Sequence, residues 1–543
     1  MSGQAIAAPE SPPHADIRDS GFVYCVSGQV NTFNPSKASS GLIVDTLAAQ
    51  FYDRLLDVDP YTYRLMPELA ESWEVLDNGT TYRFHLRRDV PFQKTDWFTP
   101  TRKMNADDVV FTFQRIFDRN NPWHNVNGSN FPYFDSLQFA DNVKSVRKLD
   151  NHTVEFRLAQ PDASFLWHLA THYASVMSAE YAGKLEKEDR QEQLDRQPVG
   201  TGPYQLSEYR AGQYIRLQRH DDFWRGNPLM PQVVVDLGSG GTGRLSKLLT
   251  GECDVLAWPA ASQLSILRDD PRLRLTLRPG MNVAYLAFNT AKPPLHNPAP
   301  PNPPLNNPAV RHALALAINN QRLMQSIYYG TAETATSILP RASWAYDNEA
   351  KITEYNPAKS REQLKALGLE NLTLKLWVPT RSQAWNPSPL KTAELIQADM
   401  AQVGVKVVIV PVEGRFQEAR LMDMSHDLTL SGWATDSNDP DSFFRPLLSC
   451  AAIHSQTNLA HWCDPKFDSV LRKALSSQQL AARIEAYDEA QSILAQELPI
   501  LPLASSLRLQ AYRYDIKGLV LSPFGNASFA GVYREKQDEV KKP

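Results

Sequence analysis

The segment from Ser431 to Phe444, SGWATDSNDPDSFF, brings together the side chains whose chemistry is most evident in this sequence. The apolar run LTLSGW predicts a buried strand that leads into a turn with three aspartates, Asp436, Asp439 and Asp441. Three aromatic residues flank these acids: Trp433, Phe443 and Phe444. A carboxylate beside a free strand edge and an indole is suited to hold the amine of an extended chain, because the strand offers backbone hydrogen bonds and the acid fixes the terminus. The pattern indicates peptide binding rather than catalysis.

The rest of the sequence offers no positive case for catalysis. It contains no G-x-S-x-G, no H-E-x-x-H and no phosphate-binding loop with its lysine. GSGGTG at residues 238–243 has the glycine spacing of a dinucleotide loop, but Asp254 follows too soon to contact a ribose. Asp107 and Asp108 are adjacent in a predicted helix and so point in different directions; with Asn105 they are typical of a helix cap and first turn.

Length and charge restrict the class of protein. At 543 residues the chain is too long for a single hydrophobic core, so we expect two or three lobes. The net charge of -4 argues against a nucleic-acid-binding protein, which needs a basic surface. No apolar run approaches the ~18 residues of a membrane-spanning helix.

The first residues predict export. SGQAIAA at residues 2–8 resembles the small-residue cleavage site at the end of a secretory signal peptide. We therefore expect residues 1–14 to be a signal-peptide remnant and a flexible N-terminus, with a mature start near Ala8. The alternative is a flexible cytosolic tail.

Four cysteines fit an oxidising compartment. They form a distant pair and a near pair: Cys25 with Cys253, and Cys450 with Cys463. A disulfide between Cys450 and Cys463 would hold the chain directly after the acidic turn. The alternative is a metal site, since His454 and His461 lie between these cysteines, although their spacing matches no common zinc pattern.

Apolar periodicity predicts strands alternating with helices, which is typical of an α/β protein. The predicted strands are FVYCV, TYRFHLR, HTVEFRL and QYIRLQR, starting at Phe22, Thr81, His152 and Gln213. The predicted helices start at Asp107, Val310 (VRHALALAINNQRLMQSIYY), Pro389 and Ala481. Gly404 ends the third helix before the strand VKVVIVPV, as in a parallel-sheet unit.

A tandem duplication precedes the predicted Val310 helix. PPLHNPA at residues 293–299 recurs as PPLNNPA at residues 303–309. Two copies are too few for a solenoid, and the proline density favours an extended surface loop. A contact with a partner or ligand is the alternative.

Several segments in a fixed order resemble the family-5 solute-binding proteins, the large peptide-binding components of ABC importers. These segments are LMPELAESWEVLDNGTTYRFHLRRDVPF, MNADDVVFTFQR, VGTGPYQLSEYRAGQYIRLQRHDDFW, AFNT, AVRHALALAIN and GWATDSNDPDSFF. The resemblance covers roughly residues 15–535. It implies a two-lobed α/β clamp of the periplasmic-binding-protein type II, with an extra small domain in the first lobe and the ligand between the lobes.

The resemblance also implies domain limits. The first lobe would have a discontinuous core and an extra domain, the second lobe would be continuous, and the C-terminal tail would be flexible. The corresponding ranges are 15–58, 197–278 and 504–535 for the core, 59–196 for the extra domain, 279–503 for the second lobe and 536–543 for the tail. The hinge would lie near residues 275–289 and 499–506.

Site residues follow from the family motif. In dipeptide- and oligopeptide-binding members an aspartate of the Gly-Trp segment binds the ligand's α-ammonium group, and Asp436 holds that position here. Gly432 and Ala434 would offer backbone groups to the ligand. Trp433 would pack on it, or alternatively belong to the core.

Other positions carry further implied roles. Ser40 and Gly41 in the first lobe match a segment that contacts peptide backbone. Asp439 and Asp441 fit turn and helix-start roles. The family also pairs cysteines in the manner of Cys25–Cys253 and Cys450–Cys463.

One position departs from the family pattern. In dipeptide-binding relatives an arginine before an aromatic-Asn-Pro element holds the ligand carboxylate. Here Trp385-Asn386-Pro387 fits, but Gln383 occupies the aligned place and Arg381 lies two residues earlier. Because a guanidinium–carboxylate contact is geometrically strict, longer peptides or another ligand become more plausible than free dipeptides.

The expected protein is therefore a periplasmic, monomeric receptor that delivers peptides, antimicrobial peptides among them, to inner-membrane permease subunits. We expect no catalysis, no cofactor, no metal and no nucleic acid. The first alternative is the same fold with a non-peptide ligand such as haem, a polyamine or nickel. The second is a chaperone-like polypeptide-binding protein or an exported enzyme.

Overall fold

The structure is a computed structural model that describes Ile17 and residues 20–38, 41–291, 305–349, 353–412, 426–435, 437–524 and 527–535. Most of the tandem duplication and the predicted flexible ends, 1–14 and 536–543, lie outside these ranges.

Strands are distributed along the whole described chain. In chain order they are β1 (Gly21–Cys25), β2 (Leu56–Val58), β3 (Leu65–Pro67), β4 (Ala70–Leu76), β5 (Thr81–Leu86), β6 (Val143–Asp150), β7 (Thr153–Leu158), β8 (Tyr204–Arg210), β9 (Tyr214–Arg219), β10 (Gln232–Asp236), β11 (Val255–Ala257), β12 (Leu273–Pro279), β13 (Asn282–Phe288), β14 (Ala332–Thr334), β15 (Thr373–Pro379), β16 (Lys406–Val412), β17 (Leu428–Ala434), β18 (Ile500–Arg513), β19 (Ile516–Lys517), β20 (Val520–Leu521), β21 (Ala527–Ser528) and β22 (Tyr533–Arg534).

Helices lie between these strands. The α-helices are Ala48–Phe51, Ala106–Phe117, Pro132–Ser136, Phe139–Asn142, Phe165–Leu169, Ala179–Lys187, Gly241–Thr250, Leu264–Asp269, Pro308–Ala315, Asn320–Leu323, Pro357–Ala366, Pro389–Gln402, Asp441–Leu448, Ala451–His454, Pro465–Ser476 and Leu480–Glu497. Single turns of 3-10 or π helix are Pro35–Lys37, Ile43–Leu47, Asp77–Gly79, Pro122–Asn125, His172–Ala174, Gln191–Asp195, Ala261–Gln263 and Met324–Tyr328.

The main sheet has the order β16-β15-β17-β13-β18-β11-β1-β10-β9-β8, with β12 and β14 also paired to β18. β1 lies parallel to both β10 and β11, and β15 lies parallel to both β16 and β17. Buried Val, Leu and Ile residues on these strands fill the space between sheet and helices, as parallel sheets covered on both faces require.

The chain crosses twice between the halves of this sheet, once along β18 and once between β12 and β13. β18 pairs with β12 from Leu507 to Arg513 and with β13 from Ile500 to Ala504. The second crossing is the step from β12 to β13. We call the described residues up to Pro279 and from Leu507 onward lobe I, and those from Met281 to Ser506 lobe II.

A side-chain amide ties the two crossings together. Asn282 Nδ2 donates to the Ser506 carbonyl and Asn282 Oδ1 accepts from the Ser506 amide, both at 2.9 Å. A Cβ on Gly280 would lie 2.1 Å from Asn282 Nδ2 and 2.6 Å from the Ser506 carbonyl oxygen, so only glycine fits there. The connection is narrow and well defined, as a hinge requires.

A second, antiparallel sheet stands apart from the main one. It has the order β4-β5-β7-β6 and lies in the part of lobe I for which the resemblance implies an extra domain. The limits implied for the individual domains stay predictions.

Most periodicity-based predictions agree with the structure. The four predicted strands correspond to β1, β5, β7 and β9, and the helices at Asp107, Pro389 and Ala481 are present. The predicted helix cap is confirmed, because Asn105 Oδ1 accepts from the Asp107 amide and Asp108 accepts from the Asn105 amide. Gly404 has a φ of +85° after the helix Pro389–Gln402, which is a helix stop that glycine favours.

The long helix predicted from Val310 is wrong. The structure has a helix Pro308–Ala315, a break and a new start at Asn320. Asn319 causes the restart: its side chain accepts from the Arg322 amide, and its own amide donates to buried Asp399 at 3.0 Å. Apolar periodicity does not detect a cap held by a carboxylate 80 residues away.

Both predicted disulfides are present. Cys25 bonds to Cys253 and Cys450 bonds to Cys463, with Cα–Cα distances of 6.1 and 4.6 Å. Because the latter two cysteines bond to each other, the metal-site alternative at this position is wrong.

Removing the short disulfide is expected to destabilise lobe II. The double variant Cys450→Ala/Cys463→Ala frees a loop with a sequence separation of 13 in the unfolded state. We expect about 3 kcal/mol less free energy of unfolding in urea. An unchanged urea midpoint would show that the bridge contributes nothing to the stability of the helices it joins.

Candidate functional site

A cavity with a volume of about 450 Å³ lies between the two lobes. Lobe I contributes the loop 27–31, residues 41–45 and Trp258, and lobe II contributes the segment 379–385 and the end of β17. The volume is within the range of small-molecule sites, ~300–1,000 Å³. Any ligand held here contacts both lobes at once.

Six of the eight predicted ligand-binding residues line this cavity. They are Gly41, Arg381, Trp385, Gly432, Trp433 and Ala434. The other two, Ser40 and Asp436, lie outside the described residues. Residues that are hundreds of positions apart in sequence thus line one cavity. Their contact with a ligand stays a prediction.

Gly432 is fixed by the indole of Trp385. A Cβ at position 432 would lie 2.2 Å from Trp385 Cδ2, far inside van der Waals contact. The Trp385 carbonyl accepts from Tyr328 Oη at 3.1 Å and from Ser506 Oγ at 2.9 Å, so its backbone is held from two sides. The Ser506 contact links this wall of the cavity to the hinge.

Trp433 lies between the core and the cavity, and its packing on a ligand stays a prediction. Its side chain is buried in the large core and its Nε1 donates to the Ser442 carbonyl at 2.8 Å. Trp433 also lines the cavity. The indole N–H is therefore committed to the protein, and what the cavity gains from Trp433 is apolar surface.

The loop that carries Arg381 is a tight turn. The amides and carbonyls of Gln383 and Asn386 pair at 2.8 and 3.1 Å, and the Asn386 side chain bonds to Thr392 at 3.0 Å. Gln383 Nε2 lies 3.4 Å from the Arg381 carbonyl. The Arg381 guanidinium is exposed and makes no hydrogen bond or ion pair with the described part of the chain. A cation is thus available at the lobe II side of the cavity.

The sequence reasoning predicted Gly41 on the lobe I wall but missed the loop that follows β1. Ser27, Gln29 and Asn31 follow β1, the strand with parallel neighbours on both sides. The carboxyl ends of such strands form the usual binding edge of open α/β sheets, and that rule could have identified this loop.

Asp45 contributes a carboxylate to the lobe I wall of the cavity. Burial lowers the pKa of Arg508 and the Asp45 carboxylate opposes that shift, so the two groups interact. Asp45 therefore favours the charged form of Arg508.

Trp258 is held in an unusual backbone conformation. Its φ is +48°, a left-handed value that costs a non-glycine residue about 1–3 kcal/mol. Its amide donates to the Leu509 carbonyl at 3.1 Å. The strained backbone places a third indole at the cavity, beside those of lobe II.

The end of β17 presents backbone to the cavity. One edge of β17 pairs with β13 along its whole length, whereas the other pairs with β15 only at Leu428 and Thr429. In an antiparallel ladder alternate residues point their amides and carbonyls away from the partner strand. Among the described residues no strand covers that side from Leu430 to Ala434.

Asp439 and Asp441 do not line the cavity. Asp439 accepts from the Arg483 guanidinium at 2.8 Å and from the Asp441 amide at 3.1 Å. Burial alone would raise the pKa of Asp441, but Arg445 and His168 outweigh burial and hold that pKa below its usual range. The turn and helix-start roles fit this geometry, with ion pairs that the sequence did not indicate.

The chain crosses twice between the two lobes, and both lobes line the cavity between them. This arrangement defines a clamp-type solute-binding protein. The chain belongs to the bacterial extracellular solute-binding proteins, family 5, whose model (family 5 Middle) matches residues 64–455. The resemblance and the two-lobed α/β fold are therefore confirmed.

Three proteins illustrate the similarity. The chain is 97% identical to the probable ABC transporter periplasmic-binding protein SapA of Escherichia coli K12, over 100% of this chain and 97% of that protein. It is 88% identical to the peptide transport periplasmic protein SapA of Salmonella typhimurium LT2, with the same coverage. The crystal structure of the dipeptide-binding protein of Pseudoalteromonas sp. SM9913 with Met-Leu is 40% identical, with a TM-score of 0.90, covering 95% of this chain and 100% of that one.

The relatives also bear on location. Both SapA proteins are periplasmic, which confirms the predicted periplasmic location. None of the helices in the described ranges is long and apolar enough to cross a bilayer.

Proposed function

We propose that this protein captures peptides in the cavity between its lobes and delivers them to the permease subunits of an ABC importer. The observation that carries the proposal is the uncovered backbone edge at the end of β17, where Gly432, Trp433 and Ala434 line a cavity bounded by both lobes. An extended peptide can add to such an edge as a further strand, so that main-chain hydrogen bonds supply affinity independently of side-chain sequence.

The two ends of the peptide have separate partners in this proposal. Asp436, two residues beyond the end of β17 in the sequence, receives the α-ammonium group. Arg381, whose guanidinium is exposed at the cavity, receives the carboxylate. Gln383 cannot replace a guanidinium in a bidentate contact, and Arg381 approaches from a shifted position. Peptides longer than dipeptides, antimicrobial peptides included, are the preferred ligands.

Capture proceeds by lobe closure without a catalytic step. Ligand contacts in both lobes favour the closed arrangement, and the ligand's differential affinity for it sets the extent of closure. The closed monomer then docks on the inner-membrane permease. The relatives' description as transport components supports this sequence of events.

The variant Asp436→Asn is expected to bind peptides about 10- to 100-fold more weakly, since it loses a charge-assisted hydrogen bond. Calorimetric titration with an equimolar pool of synthetic tri-, tetra- and pentapeptides measures the change. The matched control is Asp221→Asn, which removes an exposed carboxylate of lobe I that pairs with Arg219. Equal affinities in the two variants would remove Asp436 from the amine site.

A further inference from the structure

A buried polar cluster joins the lobes outside the cavity. On the lobe II side it comprises the turn and helix from Ser437 to Leu448. On the lobe I side it comprises residues 162–168, at the start of the helix Phe165–Leu169. None of these residues lines the cavity between the lobes.

Arg445 lies at the centre of the first group of contacts. Its Nη2 donates to Asp162 Oδ2 at 3.0 Å, its Nη1 to the Leu137 carbonyl at 3.2 Å and its Nε to Asp441 Oδ2 at 2.5 Å. His168 Nε2 lies 3.0 Å from Asp441 Oδ2 and 2.9 Å from Arg445 Nη2. Asp162, Leu137 and His168 belong to lobe I, whereas Arg445 and Asp441 belong to lobe II.

The second group of contacts reaches the acidic turn itself. Ser164 Oγ of lobe I donates to Asp439 Oδ1 of lobe II at 2.7 Å. The same carboxylate accepts from Arg483 of its own lobe, and the Asp439 amide donates to Ser437 Oγ at 3.1 Å. Ser164 therefore contacts the acidic turn at Asp439, and Asp436 precedes Asp439 by only three positions in the sequence.

The two lobes contribute unequally to the charge balance. Each lobe II carboxylate has an arginine partner in its own lobe: Arg483 for Asp439 and Arg445 for Asp441. Both pairs lie within lobe II, so lobe separation leaves these two carboxylates with a cation, whereas Asp162 of lobe I loses its ion pair with Arg445. The contacts from Asp162, Ser164 and His168 exist only while the lobes are together, where these side chains are nearly inaccessible to solvent.

We propose that Asp162, Ser164 and His168 form a latch that stabilises the closed arrangement and positions the acidic turn for ligand binding. The proposal rests on the proposed function in one respect, namely that the lobes open and close. Because the latch contacts the acidic turn, a ligand bound at the turn and the contacts between the lobes both favour the closed arrangement. Loss of the latch therefore lowers the fraction of molecules that are closed.

The test uses two lobe I variants that leave the cavity intact, Asp162→Asn and Ser164→Ala. We expect the peptide pool to bind about tenfold more weakly to Asp162→Asn and about fivefold more weakly to Ser164→Ala. Small-angle scattering should give a larger radius of gyration for both variants at a peptide concentration that closes the wild type. The melting temperature of the ligand-free variants should stay at the wild-type value.

Matched controls lie elsewhere in lobe I. Ser178 is buried and its Oγ accepts from the Tyr181 amide at 3.1 Å, and Asp195 is buried and accepts from Asn34 at 2.6 Å. Ser178→Ala and Asp195→Asn should lower the melting temperature without changing affinity or the radius of gyration.

The opposite pattern would overturn the latch. If Asp162→Asn and Ser164→Ala lower the ligand-free melting temperature as the controls do, and bind peptides as the wild type does, these contacts are static packing. If the wild type binds none of the pool, the peptide proposal fails instead. The latch is then still tested by the ligand-free melting temperatures, which should equal the wild-type value in these two variants and fall in the controls.

Discussion

Replacing Gly432 with alanine is expected to weaken peptide binding about 100-fold and to lower the free energy of unfolding by about 3 kcal/mol. The added Cβ would lie 2.2 Å from Trp385 Cδ2 and 2.7 Å from Cε3, so the indole must leave its position. It cannot shift with its backbone, because Tyr328 and Ser506 hold the Trp385 carbonyl. The displaced indole then occupies the cavity that the peptide needs.

The control for this variant is Gly183→Ala. A Cβ at Gly183 meets no heavy atom within 4 Å, and Gly183 lies in the helix Ala179–Lys187 of lobe I. The double variant Gly432→Ala/Trp385→Ala removes the clash but also the buried indole, so it should recover neither the stability nor the affinity. Wild-type affinity in Gly432→Ala alone would contradict the packing of Trp385 on β17 as the wall of the site.

The variant Arg483→Met is expected to lose about 3–5 kcal/mol of the free energy of unfolding. Asp439 is fully buried, and the Arg483 guanidinium is the cation that compensates it, at 2.8 Å. Methionine fills much of the same volume but leaves a buried carboxylate without a counter-ion. Urea denaturation followed by circular dichroism measures the change.

A second substitution separates the charge from the packing. In Arg483→Met/Asp439→Asn the uncompensated charge is gone, so most of the lost stability should return. The variant Arg322→Met removes the cation of another buried acid in lobe II, Asp399, at 2.6 Å. It is the comparison for Arg483→Met, because the Arg322 side chain is more exposed than that of Arg483. Full stability in Arg483→Met would mean that Asp439 is protonated or solvated, contrary to the burial seen here.

The sequence predicts the lobe II side of the site well. The motif GWATDSNDPDSFF identified β17 and the turn, and five predicted lobe II residues from two separate segments line one cavity. These residues are recognisable because each has an unusual local signal, such as a Gly-Trp step or an aromatic-Asn-Pro element. The lobe I loop after β1 has only small polar residues, and its role becomes visible once the parallel neighbours of β1 are known.

Long-range pairing limits what the sequence can show. The ion pair of Arg445 with Asp162 joins residues 283 positions apart, and neither residue has a local pattern that indicates the other. The restart of the helix at Asn320 depends in the same way on Asp399, a distant carboxylate. Local propensity gives the elements, whereas the partners of buried charges follow from how the lobes fold together.

The measurement that tests the central claim most directly is native mass spectrometry of gently purified protein, followed by identification of what denaturation releases. We expect a ladder of added masses that resolves into mixed peptides longer than two residues, and an unoccupied spectrum for Gly432→Ala. A single non-peptide mass, or haem seen as a Soret band, would contradict peptide capture while leaving the two-lobed clamp in place.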